Sequence, residues 1–170
     1  MEEFQPVDAR GVANLLLAKG KAEGVPIDPM KLLKLTYIAH GWVLGLTGKP
    51  LVRQQVFAWP YGPVIPDVYK AFRGFGSAPV TSPASDFEDL KWKPIEVNLD
   101  PTTSEVVDDV WDEYKAFSGL QLSTLTHRLG TPWAEVTSGM APAQIRDILI
   151  PNPIIEKHYR ELASRAEAKS

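Results

Sequence analysis

Three histidines (His40, His127 and His158) and five carboxylates (Glu105, Asp108, Asp109, Asp112 and Glu113) are the side chains of this sequence best suited to chemistry. Imidazole moves protons near neutral pH, and paired carboxylates serve acid–base or metal chemistry when they line a concave site. Neither set has the spacing that such chemistry needs. No two histidines stand four residues apart as in a helical zinc motif. Cysteine is absent, which removes thiol nucleophiles, disulfides and thiolate zinc sites. There is no G-x-S-x-G elbow and no phosphate-binding loop, and "GFGSAP" stops at two glycines where a dinucleotide fingerprint needs three. The expectation is no catalytic residue, no cofactor and no metal. His40 shares a face with Tyr37 and Leu44 and reads as a core histidine with a hydrogen-bond partner. His127 reads as an imidazole placed near a helix C-terminus, where the dipole favours it. The alternative is a small hydrolase using His40 or His127 with neighbouring Tyr or carboxylate groups, which requires both imidazoles to converge in one pocket.

The five carboxylates recur at i, i+3, i+4, i+7 and i+8, so they line one helix face, opposite Val107, Val110 and Trp111. That surface is convex. It is a solvated face or a docking surface for a basic partner, whose charge would relieve a repulsion of a few tenths of a kcal/mol per like-charged pair. The charge of the whole chain is uneven: residues 1–75 carry nine Lys/Arg against six Asp/Glu, and residues 76–170 carry nine against fifteen. Nucleic acid is therefore not expected as the main ligand, because phosphate contacts need a clustered basic face. A DNA-binding regulator of its own operon is the remaining alternative, with Arg10, Lys19, Lys21, Lys31 and Lys34 as its candidate contacts.

The stretch "AWPYGPVIPDVYKAF", residues 58–72, is the other candidate site. Two prolines and a glycine around Tyr61 read as a rigid strand-to-helix corner. Tyr61 has little conformational entropy left to lose there, and exposed aromatics on rigid turns are what interface hot spots use. Trp59, Tyr61, Gly62 and Pro63 are the candidate contacts, while Trp59 and Tyr69 also read as packing residues.

Helical periodicity supplies most of the frame. Asp8 caps a helix over Ala9–Lys19 that Gly20 ends, and Asp28 with Pro29 starts a second helix over residues 29–47. In that helix Leu32, Leu35, Ala39, Trp42 and Leu46 form one apolar stripe and Leu33, Tyr37, His40 and Leu44 another, the mark of a buried helix. Gly41 and Gly45 lie one turn apart on it, each costing about 1 kcal/mol against Ala, so another backbone is expected to pack there. A strand over "LVRQQVFAW", a helix through Ile65–Phe72 and a short strand over "PIEVNLD" follow. Thr102 with Glu105 reads as one capping box and Ser118 with Gln121 as another. Gly130 is expected to end the second of these helices, Thr131-Pro132 to start a short one, and Asn152 to cap the last. The fold class is mainly α with a few short β-strands: one compact helical domain over residues 1–170 around the buried helix 29–47. A flexible loop is expected near 74–90 and a frayed tail near 164–170. The acidic start and the lack of any long apolar run predict a cytoplasmic protein with no membrane association.

Three segments together, "KLLKLTYIAHGWVLGLTGKPL", "AWPYGPVIPDVYKAF" and "LSTLTHRLGTPW", resemble the Panacea antitoxin domain, also described as SocA-like or GepA-like. Lys31, Leu35, Tyr37, His40, Gly41, Trp42, Tyr69, Thr126, His127 and Trp133 match its pattern. Phe57 stands where an acidic residue is common. The resemblance implies an antitoxin of a bacterial or phage toxin–antitoxin system, with a partner toxin encoded by an adjacent gene and neutralised by direct protein contact. In the SocA-like branch it also implies delivery of the toxin to a cytoplasmic protease. It carries over no catalytic residue.

Overall fold

Asp28 and Pro29 start the helix around which the rest packs. The Asp28 carboxylate accepts from the Lys31 amide at 2.9 Å, Pro29 occupies the first turn where its missing N–H costs nothing, and Gly48 closes the helix at φ 74°. This helix, α2 (Pro29–Thr47), is buried along most of its length by α1 (Ala9–Glu23), α4 (Pro101–Tyr114), α5 (Gly119–His127) and α7 (Asn152–Lys169). The computed structural model describes residues 5–169. Two shorter helices, α3 (Pro66–Phe72) and α6 (Pro132–Val136), and five short strands complete a mainly α domain with one hydrophobic core.

The two glycines of α2 take α7 in close contact. The Tyr159 ring lies on Gly41, and a Cβ at Gly45 would stand 2.7 Å from the Tyr159 Cβ and 2.8 Å from the Arg160 backbone nitrogen. A methyl group at Gly45 would therefore separate two helices, which explains a residue that weakens an isolated helix.

The three-stranded sheet has the order β2–β1–β5, all antiparallel: β1 (Val56–Trp59), β2 (Gly62–Val64) and β5 (Ile148–Ile150). The expected corner at Trp59–Pro63 is in fact a two-residue β-hairpin, with Trp59 opposite Gly62, Ala58 opposite Pro63 and Phe57 opposite Val64. Pro63 fits because β2 is an edge strand and its pairing with Ala58 is the non-hydrogen-bonded kind, in which backbone groups point away from the neighbour. The helix that follows begins at Pro66, after the strand has ended.

A second hairpin, β3 (Ser85–Glu88) with β4 (Lys91–Pro94), occupies part of the segment expected to be a loop. Its turn is Asp89–Leu90, both at positive φ (50° and 64°) without the Asn-Gly signature that marks such turns. The strand expected over residues 94–100 is therefore misplaced. The apolar alternation there is real, but Ile95, Val97 and Leu99 form an extended segment laid on α1, with Val97 seated on Gly11. Three helix ends also differ from expectation. α1 runs past Gly20 to Glu23, because Gly20 is buried inside it against Val25 and Ile27, and Gly24 at φ 70° ends it. Asp100, not Thr102, caps α4 by accepting from the Thr103 amide at 2.9 Å. α5 stops at His127, leaving Leu129 fully in solvent. The Ser118–Gln121 capping box is present as expected.

Candidate functional site

The Trp59–Val64 hairpin is held from below at three alternate carbonyls. Trp133 Nε1 donates to the Trp59 carbonyl at 2.7 Å, Ser123 Oγ to the Tyr61 carbonyl at 2.6 Å, and Lys34 Nζ to the Pro63 carbonyl at 3.0 Å. These donors come from α6, α5 and α2, so the hairpin is tied to three helices at once. Gly62 is the one residue that fits its position. Its φ is 116°, and a side chain there would meet Lys34 Nζ at 2.8 Å and Thr126 Oγ1 at 3.3 Å. Lys34 is fully buried with no carboxylate beside it, and burial pushes its ammonium down to about 7.

Above this floor the tip is open: Tyr61 is 72% exposed and Pro60 is exposed beside it. Trp59 is half-buried; its Nε1 donates to Asp147 Oδ1 at 2.8 Å, its ring meets Tyr69 edge-on at 4.9 Å, and the Arg146 guanidinium lies 5.4 Å from its centroid. Gly62 and Pro63 are buried and support the tip without offering surface. Of the four contacts expected here, Tyr61 and the edge of Trp59 are therefore available to a partner.

All five carboxylates of α4 are exposed. Asp108 pairs with Lys19, and Asp112 with Lys115 at 3.2 Å. Glu105, Asp109 and Glu113 have no ion pair among the described residues. Among the described residues no hydrogen bond or ion pair joins this face to the hairpin; the two surfaces ride on elements that each pack on α2.

The histidines do not converge. His40 is fully buried, with Nδ1 accepting from the Val52 amide at 3.3 Å and Nε2 donating to Asn152 Oδ1 at 3.0 Å. That bond takes the Asn152 side chain away from the helix-capping role expected of it. Burial pushes the His40 imidazole down to about 4, so it is neutral. His127 Nδ1 donates to the Ser123 carbonyl at 2.5 Å and its ring meets Trp133 edge-on at 5.3 Å. Two imidazoles locked into separate packing environments cannot act on one substrate. Among the described residues no group of three or more His, Asp and Glu is placed to hold a metal ion.

The basic residues proposed for DNA are also committed elsewhere. Arg10 pairs with Asp8 at 2.8 Å and Asp86 at 3.0 Å, Lys19 with Asp108, and Lys31 is buried with its Nζ on the Lys115 carbonyl. With Lys34 under the hairpin, only Lys21 of the five stands in solvent without an ion pair among the described residues.

Most of the remaining motif residues pack or hydrogen-bond inside the domain, while Tyr69 is 39% exposed. Leu35 and Tyr37 are core, Thr126 Oγ1 bonds back to the Leu122 carbonyl at 2.8 Å, and Trp42 Nε1 donates to the Tyr114 hydroxyl at 3.1 Å. Sequence reasoning missed the second hairpin, whose Phe87, Leu90 and Trp92 are all exposed, with the Phe87 and Trp92 rings 5.3 Å apart. It also missed Asp147 and Arg146, which lie too far along the chain from Trp59 for any local pattern to connect them. Among the described residues no helix is long and apolar enough to cross a membrane.

Known proteins resemble this chain in sequence. Residues 32–134 match the family described as antitoxin SocA-like, Panacea domain, a span that contains the hairpin and all three of its donors. The chain is 35% identical over 161 residues to antitoxin SocA of Caulobacter vibrioides (strain NA1000 / CB15N), an alignment covering 94% of this chain and 86% of the relative. No solved structure matches the chain significantly. The three segments that converge on the Trp59–Val64 hairpin fall within or across the start of that matched span, and the chain belongs to the SocA-like, Panacea-domain family of antitoxins.

Proposed function

We propose that this protein neutralises one cognate protein toxin by direct contact, with the hairpin tip at Tyr61 as the central contact. The observation that carries this reading is the combination of a tip held at three carbonyls with an aromatic side chain left in water. A rigid, exposed tyrosine gives up little entropy on binding and buries a large apolar face, the profile of an interface hot spot. The unpaired carboxylates Glu105, Asp109 and Glu113 supply a second surface that suits a basic region of the same toxin. The toxin is the product of an adjacent gene in this reading. Delivery to a cytoplasmic protease is a further step that follows contact.

Co-expression with each neighbouring open reading frame tests the proposal. Growth rescue with co-purification, lost in Tyr61→Ala but kept in Trp92→Ala, is the expected result. A toxin that falls to low abundance in a strain with intact proteases, and is restored when a protease is deleted, adds the delivery step. Rescue without any co-purification in a protease-deficient strain contradicts direct contact.

A further inference from the structure

α2 is buried from Lys31 to Gly41, but its last turns come to the surface between α4 and α7. There Leu46 is 54% exposed and Trp42 half-buried. With Val110 of α4 and the small Ala166 of α7 they line an open groove of about 380 Å³. The floor is fixed before anything binds. Trp42 Nε1 donates to the Tyr114 hydroxyl at 3.1 Å, and the Trp42 ring meets Tyr159 edge-on at 5.3 Å. These apolar groups are contiguous, unlike the single apolar residues that any surface carries, and a floor already locked loses little entropy when covered.

The rim has one sign of charge. Asp109 and Glu113 line the groove on its α4 side, one helical turn apart, and Glu105 continues the row a turn earlier. None of the three has an ion pair among the described residues, and no lysine or arginine lines the groove. The cations nearest along the fold are committed, Lys19 to Asp108 and Lys115 to Glu23 and Asp112. An apolar trough beside an acidic row is complementary to an amphipathic helix that carries Lys or Arg beside its apolar stripe. Both rows repeat every four residues, so successive cations meet successive carboxylates. The trough also offers what α2 already gives its own helices, an apolar seat of the kind that α1, α4, α5 and α7 occupy elsewhere along it. The same carboxylates repel nucleic acid and anionic lipid, which favours a protein partner.

We propose that this groove seats a basic amphipathic helix of the toxin, with an apolar side chain between Trp42 and Leu46 and lysines or arginines on Asp109 and Glu113. The inference rests on the reading of the protein as a binder of its toxin. It adds an anchor of stated chemistry that shares no residue with the hairpin tip.

A synthetic, end-blocked peptide tests the groove without the toxin. It has roughly 18 residues, enough to be helical, with a leucine stripe and lysines spaced four apart beside it. Two companion peptides replace the lysines by glutamate or the leucines by serine. Titrated into the isotopically labelled full chain, the lysine peptide should saturate and shift the Trp42 indole N–H and Leu46 methyl resonances, and both companions should fail. Leu46→Ser, and separately Asp109→Asn with Glu113→Gln, should each weaken it roughly tenfold or more, while Trp92→Ala leaves it unchanged. All four positions are exposed, so the fold is retained. No saturation up to roughly 1 mM overturns the proposal, as does equal binding of the glutamate peptide or undiminished binding by Leu46→Ser. A native chain that is a dimer, and that Leu46→Ser converts to a monomer, overturns it in favour of a second copy in the groove. With the rescued toxin, both groove variants should lose affinity by similar factors. A toxin held as tightly by both groove variants as by the native chain overturns the toxin as occupant and leaves the Tyr61 contact standing. A native chain that holds no toxin overturns the wider reading and this occupant together.

Discussion

Lys34 sits in the core with its Nζ on the Pro63 carbonyl and no counter-ion among the described residues. Its native-state pKa, about 7, lies below the 10.5 of an ordinary lysine. Between those values the unfolded chain holds a proton that the native chain has released, so stability rises as pH rises from 7 toward 10.5. Urea unfolding should show a gain of about 2 kcal/mol between pH 7 and pH 9 in the native sequence, and Lys34→Met should remove that component. A slope identical in both proteins would show that Lys34 stays charged in the fold. His40 follows the same sign in a lower window: it is neutral when folded, so stability falls as pH drops from 6.5 toward 4. Between pH 7 and pH 4.5 that amounts to about 2 kcal/mol, checked by the same unfolding series on His40→Asn. Lys34 read as an exposed cation and a candidate DNA contact, whereas the burial of His40 was legible from the apolar face it shares with Tyr37 and Leu44. Their partners were not, because Pro63 and Asn152 are 29 and 112 residues away.

The elements differ in how far their sequences announce them. α2 could be bounded from Asp28, Pro29 and its apolar stripes because helix signals are local. Its glycines signalled a close neighbour, and α7 is that neighbour. Gly45→Ala should cost about 1–2 kcal/mol, because the strain of pushing α7 away outweighs the gain in helix propensity. Thermal or urea denaturation measures it, and a stabilised variant would mean that α7 does not pack as described. The strands were harder. β5 pairs with β1 across some ninety residues, from Ala58 opposite Ile148 to Val56 opposite Ile150, and no local pattern carries that pairing. The hairpin itself was hidden by Pro63, which argues against a strand unless the strand is known to be an edge. Trp133→Phe removes one of the three donors beneath the tip. It should cost about 1 kcal/mol of stability and weaken toxin binding by more than its loss of fold explains, a difference read by comparing affinity at a temperature where both proteins are fully folded.

At the scale of the whole molecule, α2 is the hub that brings three distant sequence segments to one place. Lys34, Thr126 and Trp133 surround one hairpin that itself carries Gly62 and Pro63, and these residues build the support rather than the contact surface. The charge asymmetry also resolves spatially: Arg10, Lys19, Lys31, Lys34 and Arg53 of the first half are spent on Asp8, Asp86, Asp108 and backbone carbonyls, while three α4 carboxylates have no ion pair among the described residues. Reversing Glu105, Asp109 and Glu113 to lysine should slow association with a basic toxin and flatten its salt dependence, visible in association rates at two ionic strengths.

The most direct measurement is the dissociation constant of the purified protein for its rescued toxin, taken with the native sequence, Tyr61→Ala and Trp92→Ala side by side. Tyr61→Ala should weaken binding roughly thirtyfold or more at unchanged melting temperature, the loss of about 2 kcal/mol that marks a hot spot. Trp92→Ala should stay within about threefold of the native protein. A Tyr61→Ala protein that binds as tightly as the native one would contradict the assignment of the hairpin tip as the contact.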